Sequence, residues 1–246
     1  MAEPSQGSAQ HFATKSLSIL PLYHGPLVKI RIKPSDNEYT ISKDLLCAES
    51  PVFSAMFEGQ FRESQQMIAD LEEMEYVVSV RSVQAIFQWL YLRVVKFDIE
   101  APREHITAAM ELVRFADKYN IVGLETEMAE YIRNIIIANP HPMTNDFFMH
   151  VDANTYWLDR EHIISASYLR RGHPVRQTLA AASVQGYLQS DQHKFVEETQ
   201  EYPSFAADLL LEIRSTLDRP KSNPAGTFED PISGRILELE GMIEGI

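Results

Sequence analysis

The chain has 246 residues, and its 22 Lys and Arg against 35 Asp and Glu give a formal net charge of −13. A surface that binds nucleic acid shows clustered basic residues, whereas the best basic run here is Arg170 with Arg171, which we interpret as a solvated helix end. The numbers therefore argue against a nucleic-acid-binding protein, and the length allows one large domain or two small ones.

Cysteine content and hydropathy limit the cellular compartments expected for this protein. The single cysteine, Cys47, excludes internal disulfides and agrees with a reducing environment. The N-terminus lacks the basic-then-apolar layout of a signal peptide, and no apolar run approaches the ~18 residues of a membrane span. We expect a soluble intracellular protein of the cytoplasm or nucleus, without membrane partners.

A small sheet is predicted near the start of the chain. Residues 1–24 are expected to form a disordered or weakly ordered arm, because 1–15 are rich in Ser, Gln, Gly and Ala without a period. Beyond it, apolar side chains alternate with charged ones over 28–33, which predicts a half-buried strand. Residues 34–37 have turn chemistry, 39–41 return as the hairpin partner, and 67–71 predict a third strand.

Two very short helices are predicted between the second and third strands. Ser42 can cap the first, while Ser50 followed by Pro51 is an N-cap with proline at the first helical position. Gly59 is expected to end the second helix in the left-handed conformation. Helices this short are unstable alone and must pack against something larger.

Three longer amphipathic helices follow, each with apolar residues at i, i+3, i+4 and i+7. Their apolar residues are Val83, Ile86, Phe87 and Leu90; Ile106, Ala109, Met110, Val113 and Ala116; and Leu124, Met128, Tyr131, Ile132 and Ile135. A small hairpin-based sheet with helices gathered on one side is an α+β arrangement.

The C-terminal third is predicted to be helical. Residues 139–158 are expected to be a linker, and 159–217 a group of helices that begin at Asp159, at His173 with Pro174, and at Pro203. Residues 218–246 are expected to form a flexible tail, in which 218–234 are rich in turn-forming residues and 235–246 have the leucine spacing of a short helix.

Three segments carry a resemblance to a known family. Residues 45–64, LLCAESPVFSAMFEGQFRES, resemble the centre of the BTB/POZ domain. Residues 86–91 are similar to its Trp-Leu-Tyr helix, and 115–119 resemble the "ADKY" segment that ends the next helix. The likeness covers 25–138, with Ser42 where the family usually has His. The whole chain resembles fungal-type single-BTB proteins with a helical C-terminal extension.

The resemblance implies a BTB/POZ fold over 25–138, followed by an all-α region. It also implies a protein-interaction module, because the family dimerises or recruits the cullin scaffold of ubiquitin ligases. The family's cullin-contact signature, a hydrophobe, any residue and Glu, is matched by Phe61, Arg62 and Glu63. By the same resemblance Met56, Phe57 and Tyr119 belong to this surface.

Two alternatives remain open for these residues. Phe61 can instead cover the small core while Glu63 is solvated, and Tyr119 can be a core tyrosine with its hydroxyl at the rim. At the level of function, the chain is predicted to be a substrate adaptor of a cullin-type ubiquitin ligase whose 159–217 helices bind the target. The alternative is a homodimerising scaffold or transcription-complex regulator without a ligase role.

No catalytic constellation is apparent. The sequence contains neither a Gly-rich phosphate loop nor a G-x-S-x-G elbow, and its histidines lack the i, i+4 pairing of a zinc site. His150 with Asp152 comes nearest to a ligand pair, and we interpret them as polar linker residues. Cys47 is interpreted as a buried small hydrophobe. We therefore expect no enzyme activity, cofactor, metal or small-molecule substrate.

Overall fold

The computed structural model describes residues 25–145, 148–218 and 226–239, so the arm predicted over 1–24 lies outside the described residues. The described chain divides into two compact units. The first runs to Lys96 and includes Phe115–Val122, and the second contains Phe97–Arg114 and the residues from Gly123 onward.

A three-stranded sheet forms the base of the first unit. Strands β1 (Leu27–Lys33), β2 (Asn37–Ser42) and β3 (Ile68–Glu72) lie in the order β2-β1-β3. β1 pairs antiparallel with β2 and parallel with β3. The inward-facing residues of β1, namely Val28, Ile30 and Ile32, are fully buried, which confirms the predicted alternation.

Within the described residues, four helices belong to the first unit besides its Phe115–Val122 segment. They are α1 (Lys43–Glu49), α2 (Pro51–Glu58), α3 (Arg62–Gln66) and α4 (Val80–Leu92). The hydroxyl oxygens of Ser42 and Ser50 accept hydrogen bonds from the Leu45 and Phe53 amides. Both predicted caps are therefore confirmed.

The predicted left-handed end of α2 is wrong. Gly59 has φ −79° and ψ −167°, an extended conformation open to any residue. A Cβ atom at position 59 would lie 2.4 Å from the carbonyl oxygen of Ala55. Glycine is needed here because the backbone approaches the preceding turn closely, which the local pattern does not reveal.

Helix α5 (Pro102–Lys118) crosses the division between the two units. Its predicted apolar stripe is buried throughout, at Ile106, Ala109, Met110, Val113 and Ala116. The helix begins at Pro102, in agreement with the preference of proline for the first helical turn.

The second unit contains further helices of the described chain: α6 (Glu125–Ala138), α7 (Arg160–Ser167), α8 (Pro174–Gln189), α9 (Val196–Glu201) and α10 (Pro203–Asp218). Helix α8 packs against both α6 and α10. The predicted starts at Asp159, His173 and Pro203 are confirmed. The short α9, with the sequence VEETQE, was not predicted because it has no apolar stripe.

A buried ion pair joins α8 to α10. The Nε atom of Arg176 lies 2.7 Å from Oδ2 of Asp208. The other two guanidinium nitrogens donate to the carbonyl oxygens of Leu169 and Ser204. Because each guanidinium nitrogen has a partner and one partner is a carboxylate, the buried charge is compensated.

The segment predicted as a linker over 139–158 has internal structure in its described part. It contains a 3-10 helix, Ala153–Thr155, whose residues are buried. The Nε1 atom of Trp157 donates to the carbonyl oxygen of Asn139 over 2.8 Å. The Nζ atom of Lys194 donates to three carbonyl oxygens of the same segment. The linker boundaries themselves stay a prediction.

A β-hairpin follows α10, where an unstructured stretch and a short helix were expected. Strands β4 (Thr227–Glu229) and β5 (Ile236–Glu238) pair antiparallel. The expectation is therefore wrong for 226–239, and 240–246 lie outside the described residues. The reason is tertiary: Leu237 and Leu239, two residues apart as in a strand, pack on a cluster around Phe228.

The turn of this hairpin is anchored from within. Asp230 is fully buried. Its Oδ1 atom accepts from the Asn154 amide over 2.9 Å, and its Oδ2 atom accepts from the backbone N–H of Ser233 over 2.8 Å. Arg133 of α6 donates to the carbonyl oxygen of Ile232. The fold is thus an α+β domain with a helical C-terminal region, to which this hairpin is added.

Candidate partner-binding surface

Phe61 is displayed on the short connection between α2 and α3. Its side chain is 58% exposed. Its carbonyl oxygen accepts hydrogen bonds from the backbone N–H and the hydroxyl of Ser64, which fixes the start of α3. A Cβ atom at Gly59 would lie 3.1 Å from the Phe61 ring. The glycine therefore leaves room for both the helix end and the aromatic ring.

Arg62 and Glu63 form the first turn of α3, directly after this ring. Arg62 is exposed, and its Nε atom donates to Oε1 of Gln66 over 3.0 Å. Glu63 is half-buried and acidic at the start of the helix, where a negative charge is favourable. The surface therefore presents an aromatic ring beside a carboxylate.

The other predicted contact residues lie deeper. Met56 is half-buried, whereas Phe57 and Tyr119 are buried. The Tyr119 ring stacks on Phe53 with centroids 4.7 Å apart and an interplanar angle of 9°. Burial raises the pKa of Tyr119 to about 12. The structure therefore places Phe57 and Tyr119 in the core, and their role in a partner contact stays a prediction.

Sequence comparison identifies the domain of the first part of the chain. Residues 24–136 match the family model described as the BTB/POZ domain. The chain contains a BTB/POZ domain over these residues. A search of curated proteins finds no match. The BTB/POZ domain accounts for the sheet and for helices α1 to α6, and α6 packs against α8, which lies beyond the matched segment. The resemblance to fungal-type proteins stays a prediction.

Cys47 lies close to α2 of the BTB/POZ domain but has no features of a nucleophile. It is a free, half-buried cysteine whose Sγ atom lies 3.7 Å from the carbonyl oxygen of Phe53. Burial, followed by the nearby charge of Glu58, raises the pKa of its thiol to about 11. Because the thiolate is the reactive form, the raised pKa disfavours a nucleophilic role for this side chain at neutral pH.

His150 and Asp152, the nearest approach to a ligand pair, form hydrogen bonds with other protein groups. The Nδ1 atom of His150 accepts from the backbone N–H of Asp152 over 3.2 Å, and its ring stacks on His141. Over the described ranges, no group of three or more His, Cys, Asp and Glu side chains could hold a metal ion. In those same ranges, no helix is both long and apolar enough to cross a membrane.

Sequence reasoning identified the exposed ring but missed what supports it. The hydroxyl of Ser50 donates to the carbonyl oxygen of Tyr119 over 2.5 Å, so the end of α5 is tied to the start of α2. The signals available were the Ser50-Pro51 pair and Gly59, which were interpreted only as the start and the end of a short helix. Their contacts with Tyr119 and Phe61 depend on the folded chain.

Proposed function

We propose that this protein is a substrate-adaptor subunit of a cullin-type ubiquitin ligase. BTB/POZ domains are protein-interaction modules, and this chain carries one over 24–136. The observation that supports the adaptor role is the 58% exposure of Phe61 beside Glu63. The hydrophobe-x-Glu sequence therefore stands at the surface and is accessible to a partner.

The chemistry of this pair suits a protein contact. An aromatic ring that fills a partner's pocket supplies a large share of binding energy at many interfaces. A neighbouring carboxylate orients the partner through charge. Phe61 is held on a defined backbone by Ser64 and Gly59, so little ordering is needed on binding.

The target would bind the helices of 159–217, which lie in the second unit. These helices include α7, α8 and α10, and they contain no part of the BTB/POZ match. An adaptor needs two separate surfaces, one for the ligase scaffold and one for the target. In this proposal the protein acts in the cytoplasm or the nucleus.

Titration calorimetry against the N-terminal domain of a cullin of the BTB-binding class tests the adaptor role. We expect micromolar or tighter binding that Phe61→Ala weakens at least about tenfold, since aromatic anchors dominate such interfaces. Glu63→Ala should weaken it too. Phe148→Ala is the matched control, because Phe148 is 56% exposed but lies in the second unit. A folded wild type that shows no binding at tens of micromolar removes the adaptor role.

The second candidate is a homodimerising scaffold, or a regulator of transcription complexes, without a ligase role. It is favoured by apolar side chains that remain exposed on the first unit, namely Leu27, Leu92 and Val94. Apolar exposure of this kind is typical of protein contacts when the residues are contiguous. Light scattering that shows a monomer at high concentration contradicts this candidate.

A further inference from the structure

We infer that the loop between α7 and α8 is a binding surface for an acidic segment of a partner protein. The surface consists of Arg114, Tyr168, Arg170 and Arg171, and we call it the arginine–tyrosine surface. All four residues belong to the second unit. The inference stands apart from the proposed cullin contact, because it uses none of the residues around Phe61.

The loop has a defined conformation. Leu169 and His173 are buried on either side of the exposed residues 170–172. The backbone N–H of His173 donates to the carbonyl oxygen of Arg170, and the Nδ1 atom of His173 accepts from the Val175 amide at the start of α8. The two arginine side chains therefore project from a backbone that is held at both ends.

Gly172 makes this short loop possible. It has φ +77°, in the left-handed region that favours glycine, and a Cβ atom there would meet nothing within 4 Å. The conformation alone, and not crowding, calls for glycine at this position. The resulting turn keeps Arg170 and Arg171 at the surface just before α8 begins.

Tyr168 gives the surface an aromatic component. Its ring is 68% exposed, so it contributes little to the core of the second unit. The guanidinium carbon of Arg114, on α5, lies 4.9 Å from the centroid of this ring. A cation at this distance is attracted by the ring face. The contact brings a third arginine to a loop that already has two.

The positive charge of Arg170 is only weakly compensated by a neighbouring carboxylate. Its guanidinium lies 3.8 Å from the carboxylate of Glu125, at the limit of an ion pair, and its side chain is 68% exposed. Glu125 also accepts a hydrogen bond from the backbone N–H of Gly123. Arg171 is exposed to solvent. Exposed pairs of this kind contribute little, so Arg170 and Arg171 can take a stronger anionic partner.

The chemistry indicates the class of partner. Guanidinium groups bind carboxylates and phosphates through paired hydrogen bonds, and Arg and Tyr are frequent anchors at protein interfaces. The chain as a whole has a net charge of −13, which repels nucleic acid at long range. A local arginine cluster on such a chain fits a short acidic peptide segment, with carboxylate or phosphoserine side chains.

Fluorescence anisotropy with the full chain tests the inference. The probes are a labelled peptide of alternating aspartate and serine, the same peptide with phosphoserine, and a labelled single-stranded oligonucleotide. We expect one or both peptides to bind at low ionic strength, with weaker binding as salt rises. The comparison of the two peptides shows whether carboxylate or phosphate is preferred.

Charge reversal provides the decisive comparison. Arg171→Glu should weaken peptide binding at least about tenfold, because a charge-assisted hydrogen bond is replaced by repulsion. Arg235→Glu changes the net charge equally, and Arg235 is exposed in the C-terminal hairpin, outside the helices of 159–217. We expect this control to remain within about twofold of wild type.

Three outcomes overturn the inference. The first is a folded wild type that binds neither peptide at low ionic strength. The second is equal weakening by Arg171→Glu and Arg235→Glu, which would indicate a general charge effect. The third is preferential binding of the oligonucleotide, which would assign the surface to nucleic acid. None of these results bears on the cullin contact, since no cullin is present in the assay.

Discussion

The hydroxyl of Ser50 donates to the carbonyl oxygen of Tyr119 over 2.5 Å, although the two residues are 69 positions apart. The same hydroxyl oxygen accepts from the backbone N–H of Phe53 and so caps α2. The Ser50 side chain therefore caps the start of α2 and also donates to a carbonyl oxygen just after the end of α5. This bond connects the helix that precedes Phe61 to the core of the first unit.

Ser50→Ala should lower the free energy of unfolding by about 2–4 kcal/mol. Loss of the cap costs about 1 kcal/mol, and the buried Tyr119 carbonyl left without its partner adds about 1–3 kcal/mol. Urea unfolding measures the change. Ser54→Ala is the control, because the Ser54 hydroxyl bonds to Glu58 on an exposed face. Equal, small effects of the two substitutions would contradict the structural role of Ser50.

Phe57→Ala should lower the free energy of unfolding strongly, whereas Phe61→Ala should leave it nearly unchanged and weaken partner binding. Phe57 is buried, so its truncation should cost about 3–5 kcal/mol of unfolding free energy. Phe61 is largely exposed, and its truncation should change stability by less than about 0.5 kcal/mol. Thermal or urea unfolding of both variants provides the measurement. A large loss of stability in Phe61→Ala would assign that ring to the core and weaken the adaptor proposal.

His162 should make the protein less stable as the pH falls from about 6.5 to 4. Burial lowers the pKa of His162 to about 4 in the folded chain, from an ordinary value near 6.5. Between these values the unfolded chain binds a proton that the folded chain does not. The free energy of unfolding therefore falls with decreasing pH, by up to about 1.4 kcal/mol per pH unit.

The hydrogen bonds of His162 explain why it stays neutral. The Thr107 hydroxyl donates to the carbonyl oxygen of Arg103, so it accepts from Nε2–H of His162. The Nδ1 atom of His162 accepts from the backbone N–H of Asp159 over 3.0 Å. Both ring nitrogens are thus committed in the neutral form.

His162→Gln is the variant that tests this pH dependence. Glutamine at this position can still accept from the Asp159 amide in a capping box, but it does not titrate. Unfolding should be measured from about pH 4 to 7 for both proteins. His141 and His193, whose pKa values burial also lowers, remain in both, so they cancel in the difference. Parallel curves for the two proteins would contradict the assignment to His162.

The C-terminal hairpin should contribute to the stability of the second unit through Phe228. This ring is 1% exposed and packs with Val184, Leu209 and Ile213. Phe228→Ala should therefore lower the free energy of unfolding by about 3 kcal/mol or more. Ile236→Ala serves as the control, because Ile236 on the same hairpin is 48% exposed. Similar stability of both variants would show that the hairpin is dispensable for the fold.

The local elements of this protein could be predicted because their causes are local. Alternation over 28–33, the serine caps at Ser42 and Ser50, and the apolar stripe of α5 depend on residues within a few positions of one another. The three BTB/POZ-like segments lie within the first 119 residues, so the BTB/POZ domain could be identified as well. The exposed Phe61 sits beside them and was found through the family signature.

The remaining features depend on residues that are distant in sequence. Gly59 was expected to be left-handed, but its backbone is extended. Glycine is needed there because the Ala55 carbonyl oxygen lies too close for a Cβ atom. Leu237 and Leu239 fit a helix or a strand equally, and the cluster around Phe228 selects the strand. The same limit applies to surfaces: Arg170 and Arg171 were interpreted as a solvated helix end, but they lie in the loop between α7 and α8.

The sequence by itself therefore determined most of the elements, the α+β class and the BTB/POZ domain of this protein, since hydrophobic period and capping act over short distances. Only the tertiary structure decided which aromatic rings are buried, which are exposed, and which distant side chains contact one another. Phe57 and Phe61 are four residues apart, yet one lies in the core and the other in solvent. Arg114 and Tyr168 meet across 54 positions, because packing in the second unit brings α5 beside the loop before α8.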